Sequence, residues 1–295
     1  MKTNRRKFLA TLAIGAGAAG LGFDSFYWEN NHLEVTAYDW PTQKFAKGAS
    51  RVRLVQISDL HLKKFGGFEK QVAQRVNELK PELLVMTGDF IEDNDKFGEL
   101  EEFLKLLPQA CPKLAVLGNW DHWSGVKVKE FDRAFTELGI ELLDNSREKL
   151  GSEYQHMCII GVDDPTNGWD KLDKAAEHLS DRQFNLFLAH SPNIITRIRD
   201  LPIDLMLCGH THGGQVRLPG VKPFWLPRKC EGYVAGFYEK NGKTMYVNRG
   251  LGNSVVPVRF RCLPEITVFT IKPAKQEPGV GNSGFGNRGS GFGSE

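Results

Sequence analysis

Residues 205–214 read Leu-Met-Leu-Cys-Gly-His-Thr-His-Gly-Gly. Four consecutive apolar residues without alternation, closed by a glycine, read as a short strand buried on both faces. Two imidazoles, His210 and His212, follow at a spacing of two. Four more apolar runs end in the same manner. Val55-Gln56-Ile57-Ser58 leads to Asp59-Leu60-His61, and Leu84-Val85-Met86-Thr87 leads to Gly88-Asp89. Ala115-Val116-Leu117 leads to Gly118-Asn119-Trp120-Asp121-His122, and Phe187-Leu188-Ala189 stops at His190. Any one of these endings is an ordinary turn or a hydrogen-bonded histidine. Five in chain order point to one shared site at the carboxyl ends of strands, where open α/β sheets place their ligands.

Outward from these endings, strands are expected at residues 54–57, 83–86, 114–117, 159–162, 186–189 and 205–208. Helices with apolar residues three and four apart are expected at 69–79, 99–107 and 128–138. Continuous apolar strands alternating with helices imply sheets covered on both faces, an α/β class. Beyond residue 213, strand-like pieces at 244–247 and 266–271 are expected to complete a second sheet.

The donors gathered at the strand ends are Asp59, His61, Asp89, Asn119, His190, His210 and His212. Carboxylate, imidazole and amide without thiolate suit borderline divalent ions such as Mn²⁺, Fe²⁺ or Zn²⁺. Seven donors exceed what one catalytic ion with open positions can take, and suit two ions about 3.5–4 Å apart sharing a carboxylate. Residues two apart in an extended segment point the same way, so Asp59/His61 and His210/His212 are expected to converge. Gly88, Gly118 and Gly209 permit sharp exits from the strands.

The whole chain has 295 residues, with 38 Lys+Arg against 36 Asp+Glu. A net charge of +2 is too small to point to binding of nucleic acid by phosphate neutralisation, and no nucleic-acid partner is expected. The excess sits in residues 1–30, where Lys2, Arg5, Arg6 and Lys7 oppose only Asp24 and Glu29. An apolar run from Phe8 to Phe23 follows, short of the roughly twenty residues needed to span a bilayer. Asn4-Arg5-Arg6-Lys7-Phe8-Leu9 resembles a twin-arginine export signal, with Ala16-Gly17-Ala18 as a small-residue cleavage site. Export to the periplasm or another extracytoplasmic space follows, with an uncut signal serving as an inner-membrane tether. Residues 31–50 read as a linker, 51–272 as the catalytic domain, and 273–295 as a disordered glycine-rich tail. The five cysteines form no CxxC pair, and Cys230 with Cys262 is the one pairing worth testing. Phe26-Tyr27-Trp28 and the run from Pro223 to Lys229, aromatic residues beside basic ones, suit contact with a lipid interface.

The ordered motifs DLH, GD, GNxD, H and GHTH resemble the calcineurin-like metallophosphoesterases. The phrases GHTHGGQVRLPG (209–220), YVAGFY (233–238), NRGLGNS (248–254) and CLPEITVFT (262–270) are similar to one branch, exported or membrane-associated bacterial phosphodiesterases related to UDP-2,3-diacylglucosamine hydrolases. The resemblance implies a four-layer αββα sandwich of two mixed sheets. It assigns Asp59, His61, Asp89 and His212 to one ion, and Asp89, Asn119, His190 and His210 to the second. It implies a dimetal phosphohydrolase, with Mn²⁺ the favoured ion, attacking phosphorus with a metal-bridging hydroxide. The expected substrate is a lipid-linked phosphodiester or pyrophosphate, with a place in lipid A biosynthesis.

One position departs from that family. Where the leaving group is normally protonated by the histidine of GNH, this chain carries Trp120. An indole N–H donates a hydrogen bond but transfers no proton near neutral pH. Three readings stand: His122 supplies the acid, the leaving group is a phosphate that departs unprotonated, or metals bind without catalysis. A phosphomonoesterase or nucleotidase is the alternative enzyme, and a silent metal-binding interaction module the alternative to an enzyme. Arg249, in the NRGLG phrase, is the candidate clamp on substrate phosphate.

Overall fold

Alternate side chains of the buried runs enter different cores. Along β2 (Val52–Ile57), Val55 and Ile57 pack under helices, while Val52 and Leu54 pack toward a second sheet. In β3 (Leu83–Thr87), Leu84 and Met86 divide from Leu83 and Val85 in the same way. A strand's period of two forces this division and makes each sheet a wall between two apolar layers. The computed structural model describes residues 27–275 apart from 47, 152 and 153. The export-signal motif and most of the glycine-rich tail lie outside the described residues.

The first sheet has the order β1-β12-β2-β3-β4-β5, completed by β1 (Glu34–Thr42), β4 (Lys113–Val116), β5 (Ile140–Leu142) and β12 (Glu265–Pro273). Strands β2 to β5 are parallel, and β12 runs antiparallel to β2. The second sheet has the order β10-β11-β9-β8-β7-β6. Its strands are β6 (Ser146–Glu148), β7 (Met157–Gly161), β8 (Phe184–Leu188), β9 (Leu205–Cys208), β10 (Gly236–Lys240) and β11 (Lys243–Val247). Strands β7, β8, β9 and β11 are parallel, with β6 and β10 antiparallel at the edges.

Helices α1 (Gly67–Glu78), α2 (Phe97–Lys105) and α4 (Val128–Glu137) cover the first sheet. Each buries one stripe: Val72, Ala73 and Val76; Leu100, Phe103 and Leu104; Phe131, Ala134 and Phe135. The second sheet is covered more thinly, by α5 (Leu172–Ala175) and the turn of 3₁₀ helix Pro192–Thr196, with Ile194, Ile195 and Ile198 buried on Met206 and Cys208. Between the sheets, Leu54, Val85 and Leu114 meet Ile159, Leu186 and Leu207. The result is a four-layer αββα sandwich of two mixed sheets. Helix α3 (Asn119–Trp123) lies at the end of β4.

Two expectations change. Residues 31–50 are not a linker, because β1 pairs with β12 in parallel over nine residues. Its half-buried Tyr38 and Trp40 alternate with exposed Asp39 and Pro41, the pattern of an edge strand that tolerates proline. Residues 266–271 do not join the second sheet, since β12 inserts between β1 and β2 of the first. All five cysteines are buried and free, so Cys230 and Cys262 are unpaired. Among the described residues, no helix is long and apolar enough to cross a membrane.

Candidate metal centre

Strand polarity delivers the donors. Asp59 and His61 follow β2, Asp89 follows β3, Asn119 opens α3 after β4, His190 follows β8, and His210 and His212 follow β9. Six of these seven, all but Asn119, meet in two groups, Asp59/His61/Asp89/His212 and Asp89/His190/His210, each with ligand atoms within 4.8 Å of one another. Asp89 belongs to both. Its Oδ2 lies 3.3 Å from His61 Nε2 and 3.0 Å from His190 Nε2. His212 Nε2 is 3.4 Å from Asp59 Oδ1 and 3.0 Å from His61 Nε2, and His210 Nδ1 is 3.1 Å from His190 Nε2.

Convergence does not come from an extended backbone, as the spacing of two suggests. Asp59, His61, Asp89, His210 and His212 all have left-handed backbones, with φ of 49°, 42°, 56°, 74° and 50°. For a residue with a side chain this conformation costs about 1 kcal/mol or more, and persists where surrounding bonds over-determine it. Those bonds are present. Asp59, His61 and Leu62 donate their N–H groups to the carbonyls of Gly88, Asp89 and Phe90. The Asp121 carboxylate accepts from the N–H groups of Asp89, Phe90, Ile91 and Gly118. Asp59 Oδ1 accepts from His210 N–H at 2.8 Å, and Asp89 Oδ1 from Trp120 N–H at 2.8 Å. A Cβ at Gly209 would stand 2.0 Å from Asp59 Oδ2, and one at Gly118 2.2 Å from Asp89 Oδ1, so neither position admits a side chain.

Each imidazole is fixed by its outer nitrogen. His61 Nδ1 donates to Glu92 Oε1 (3.0 Å), His190 Nδ1 to the Thr87 carbonyl (2.8 Å) and His212 Nδ1 to the Gly252 carbonyl (3.2 Å). His210 is reversed, with Nε2 donating to the Arg228 carbonyl at 2.9 Å. The other nitrogen of all four rings therefore turns inward, the arrangement that orients metal-bound imidazoles. Gly252 is held by Arg259, a fully buried arginine whose guanidinium donates to the carbonyls of Arg249, Gly250, Gly252 and Cys262.

The cluster calls for positive charge. Burial lowers the affinity of His61 and His190 for protons, yet the hydrogen bonds that His61 donates to Asp89 and Glu92 carry it up to about 9. The Asp89 charge carries His190 up to about 10. Those same imidazoles hold Asp89 well below the usual carboxylate range against its burial, whereas burial raises Asp59. Burial, aided by repulsion from His190, pushes His210 down to about 4; burial and His61 push His212 well below its ordinary value. Burial and the neighbouring Asp89 raise Asp121 to about 7. Two buried acceptor atoms, Asp59 Oδ2 and Asn119 Oδ1, have no hydrogen-bond partner. Unpartnered buried oxygens beside inward imidazole nitrogens fit divalent cations.

The floor opens into a cleft of about 500 Å³, lined in part by Asp89, Asn119, Trp120, Trp123, Trp225 and Arg228. His122 is not brought into it. Helix α3 turns about 100° per residue, so His122 faces away from Trp120 while Trp123 returns to the cleft. His122 Nε2 meets Asp163 Oδ1 at 2.6 Å, and its ring packs on Trp169 at 3.8 Å. Arg249 is also placed elsewhere. Glu265 (3.1 Å) and Glu34 (2.6 Å) bind its guanidinium and raise its pKa against burial. Glu92 and Arg259 escaped the sequence reading, since neither lies at a strand end. The spacing Gly88-Asp89-Phe90-Ile91-Glu92 was the only signal for the first.

Two buried donor groups sharing one carboxylate above parallel strands define a metallohydrolase. Residues 52–214 match the calcineurin-like phosphoesterase family, and the chain belongs to it. It is 35% identical over 282 residues to the uncharacterized metallophosphoesterase YkuE of Bacillus subtilis, covering 92% of this chain and 98% of that protein. It is 30% identical over 275 residues to the phosphodiesterase YaeI of Escherichia coli, covering 91% and 99%. It is 28% identical over 301 residues to the UDP-2,3-diacylglucosamine pyrophosphatase LpxG of Chlamydia muridarum, covering 82% and 90%. The chain is a metal-dependent phosphoric ester hydrolase.

Proposed function

We propose that the protein is an exported hydrolase that cleaves a phosphoanhydride or an acidic phosphodiester in a lipid-linked substrate. One observation carries the choice of bond. Among the cleft-lining residues the imidazoles are His210 and His212, both members of the donor groups, while Trp120 occupies the position of the usual acid. General-acid help is worth about 10²–10⁴-fold for a poor leaving group and little for a phosphate. The LpxG relative, a pyrophosphatase of a diacylated nucleotide sugar, supports this reading.

Asp59, His61, Asp89 and His212 would hold one ion, and Asp89, Asn119, His190 and His210 the other, with Mn²⁺ our favoured metal. Two bound divalent ions supply Lewis acidity and a water acidified to near neutrality. The chain does the rest. Asp89 keeps its charge and spaces the two groups; Glu92 and the Thr87, Arg228 and Gly252 carbonyls hold the ring tautomers. Arg228 and Lys229, lining the cleft, offer charge to substrate phosphates. The twin-arginine motif and the apolar run after it supply export and the tether.

The test is hydrolysis with Mn²⁺ of UDP-2,3-diacylglucosamine, bis-p-nitrophenyl phosphate and β-glycerophosphate. Cleavage of the first two and sparing of the alkyl monoester is expected. Preference for the monoester would overturn the reading in favour of a phosphomonoesterase. No cleavage of any of the three, joined to activity in Trp120→His, would favour the silent module.

A further inference from the structure

The mouth of the cleft carries apolar side chains that the chemistry below does not need. Phe224 is 72% exposed and Val255 66%, and Trp123, Trp225 and Val256 are exposed with them. Trp123, Trp225 and Val255 line the cleft, and Phe224 and Val256 are their chain neighbours. Single exposed apolar residues are ordinary, but a set of them around one opening marks an interaction surface. Basic residues surround the set. Lys222, Arg228, Lys229 and Arg261 are exposed in the same two loops, with Glu231 the exposed acid beside them.

A separate observation fixes where the N-terminal segment joins this surface. The buried Glu29 carboxylate accepts the N–H groups of Arg261 (2.7 Å) and Cys262 (3.1 Å), and Asn30 Nδ2 donates to the Pro257 carbonyl at 2.9 Å. The chain arriving from residues 1–26 is thus pinned next to Val256, and Tyr27 and Trp28 are exposed at the same place. The apolar run from Phe8 to Phe23 ends four residues before Tyr27.

We infer that this face, centred on Phe224, Trp225, Val255 and Val256 with Lys229 and Arg261 around them, docks on an anionic lipid bilayer, so that the cleft opens toward the membrane. The inference rests on the proposed lipid-linked substrate and adds the face and orientation of binding. Aromatic residues sit at the headgroup level and lysine or arginine meets anionic headgroups. Tether and rim on one side make the second contact intramolecular once the first has formed. A lipid-linked pyrophosphate then reaches the metal centre while its acyl chains remain in the leaflet.

Hydrogen exchange of the full-length, Mn²⁺-loaded protein tests this on vesicles of phosphatidylethanolamine and phosphatidylglycerol, with pure phosphatidylcholine as control. Amides of residues 218–229 and 254–261 should exchange at least about threefold more slowly on the anionic vesicles. The double variant Phe224→Ser/Val256→Ser should lose that protection yet hydrolyse soluble bis-p-nitrophenyl phosphate within about twofold of the parent. Vesicle binding without protection of these segments, or protection that survives the double substitution, overturns the docking face. The soluble diester separates the two claims. Hydrolysis without protection leaves the hydrolase standing and removes the docking face. Protection that appears on anionic vesicles and is lost in the double variant supports the face even where no diester is cleaved.

Discussion

At the floor of the cleft, Asp89 meets two imidazoles and the Trp120 N–H, while its own N–H is tied to Asp121. A short way above, Phe224 and Val255 stand largely in solvent. On the floor, five left-handed side-chain-bearing residues persist because strand ends, glycines and buried carboxylates leave them no alternative. The rim also holds left-handed residues, Lys229, Val255 and Arg261 at φ of 61°, 64° and 54°, but their side chains stand exposed instead of converging on one point. The contrast separates chemistry, which needs fixed geometry, from recognition of a fluid partner, which needs chemical character at the right height.

The sharpest way to break the contrast is Asp89→Ala. Because this carboxylate belongs to both donor groups, we expect loss of bound metal together with a fall in turnover of about three orders of magnitude or more. Metal analysis beside a diester assay checks this, and unchanged metal content would remove Asp89 from the site. Next is Trp120→His. Restoring an imidazole should raise the rate on alkyl-leaving-group diesters by up to about 10²–10⁴-fold and leave the pyrophosphate nearly unaffected. Equal gains on both substrates would show that leaving-group protonation was not what Trp120 denied.

Glu92→Gln should weaken metal binding about 10–100-fold by loosening the His61 ring, as titration calorimetry would show. Unaltered affinity would make Glu92 a surface charge partnered to Lys63. The pH dependence has a definite sign. His61 and His190, at about 9 and about 10 in the metal-free protein, are raised above their ordinary 6.5. Their contribution to the stability of the metal-free fold is complete below pH 6.5 and is lost as pH rises through 9 to 10. Metal must displace these protons, so binding at pH 7 should release about one proton per ion and strengthen about tenfold per pH unit. Calorimetry in buffers of different ionisation enthalpy reads this directly, and an absence of proton release would contradict it. The smallest effect belongs to the rim. Phe224→Ser should change unfolding free energy by no more than about 0.5 kcal/mol, whereas Phe131→Ala in the fully buried face of α4 should cost about 3–5 kcal/mol.

The floor was legible in the sequence because strand, glycine and donor are adjacent in the chain. Asp59, His61, Asp89, His190, His210 and His212 each lie within five residues of an apolar run that buries itself. What was not legible depends on direction or on distant pairing. The turn of α3 takes His122 away from Trp120, and the acids that engage Arg249, Glu34 and Glu265, come from β1 and β12. Strand β1 itself looked like a linker because an edge strand with polar alternation and a proline has no apolar run to announce it. The loop at 223–229 was visible as composition, but residues 254–257 were not, and only the fold brings the two to one opening with the entry of the N-terminal segment.

The most direct test is anomalous diffraction from crystals of the Mn²⁺-loaded protein. Two peaks about 3.5–4 Å apart, with the Asp89 carboxylate between them, are predicted. A single peak, or two peaks that do not share Asp89, would contradict the dimetal centre on which the account stands.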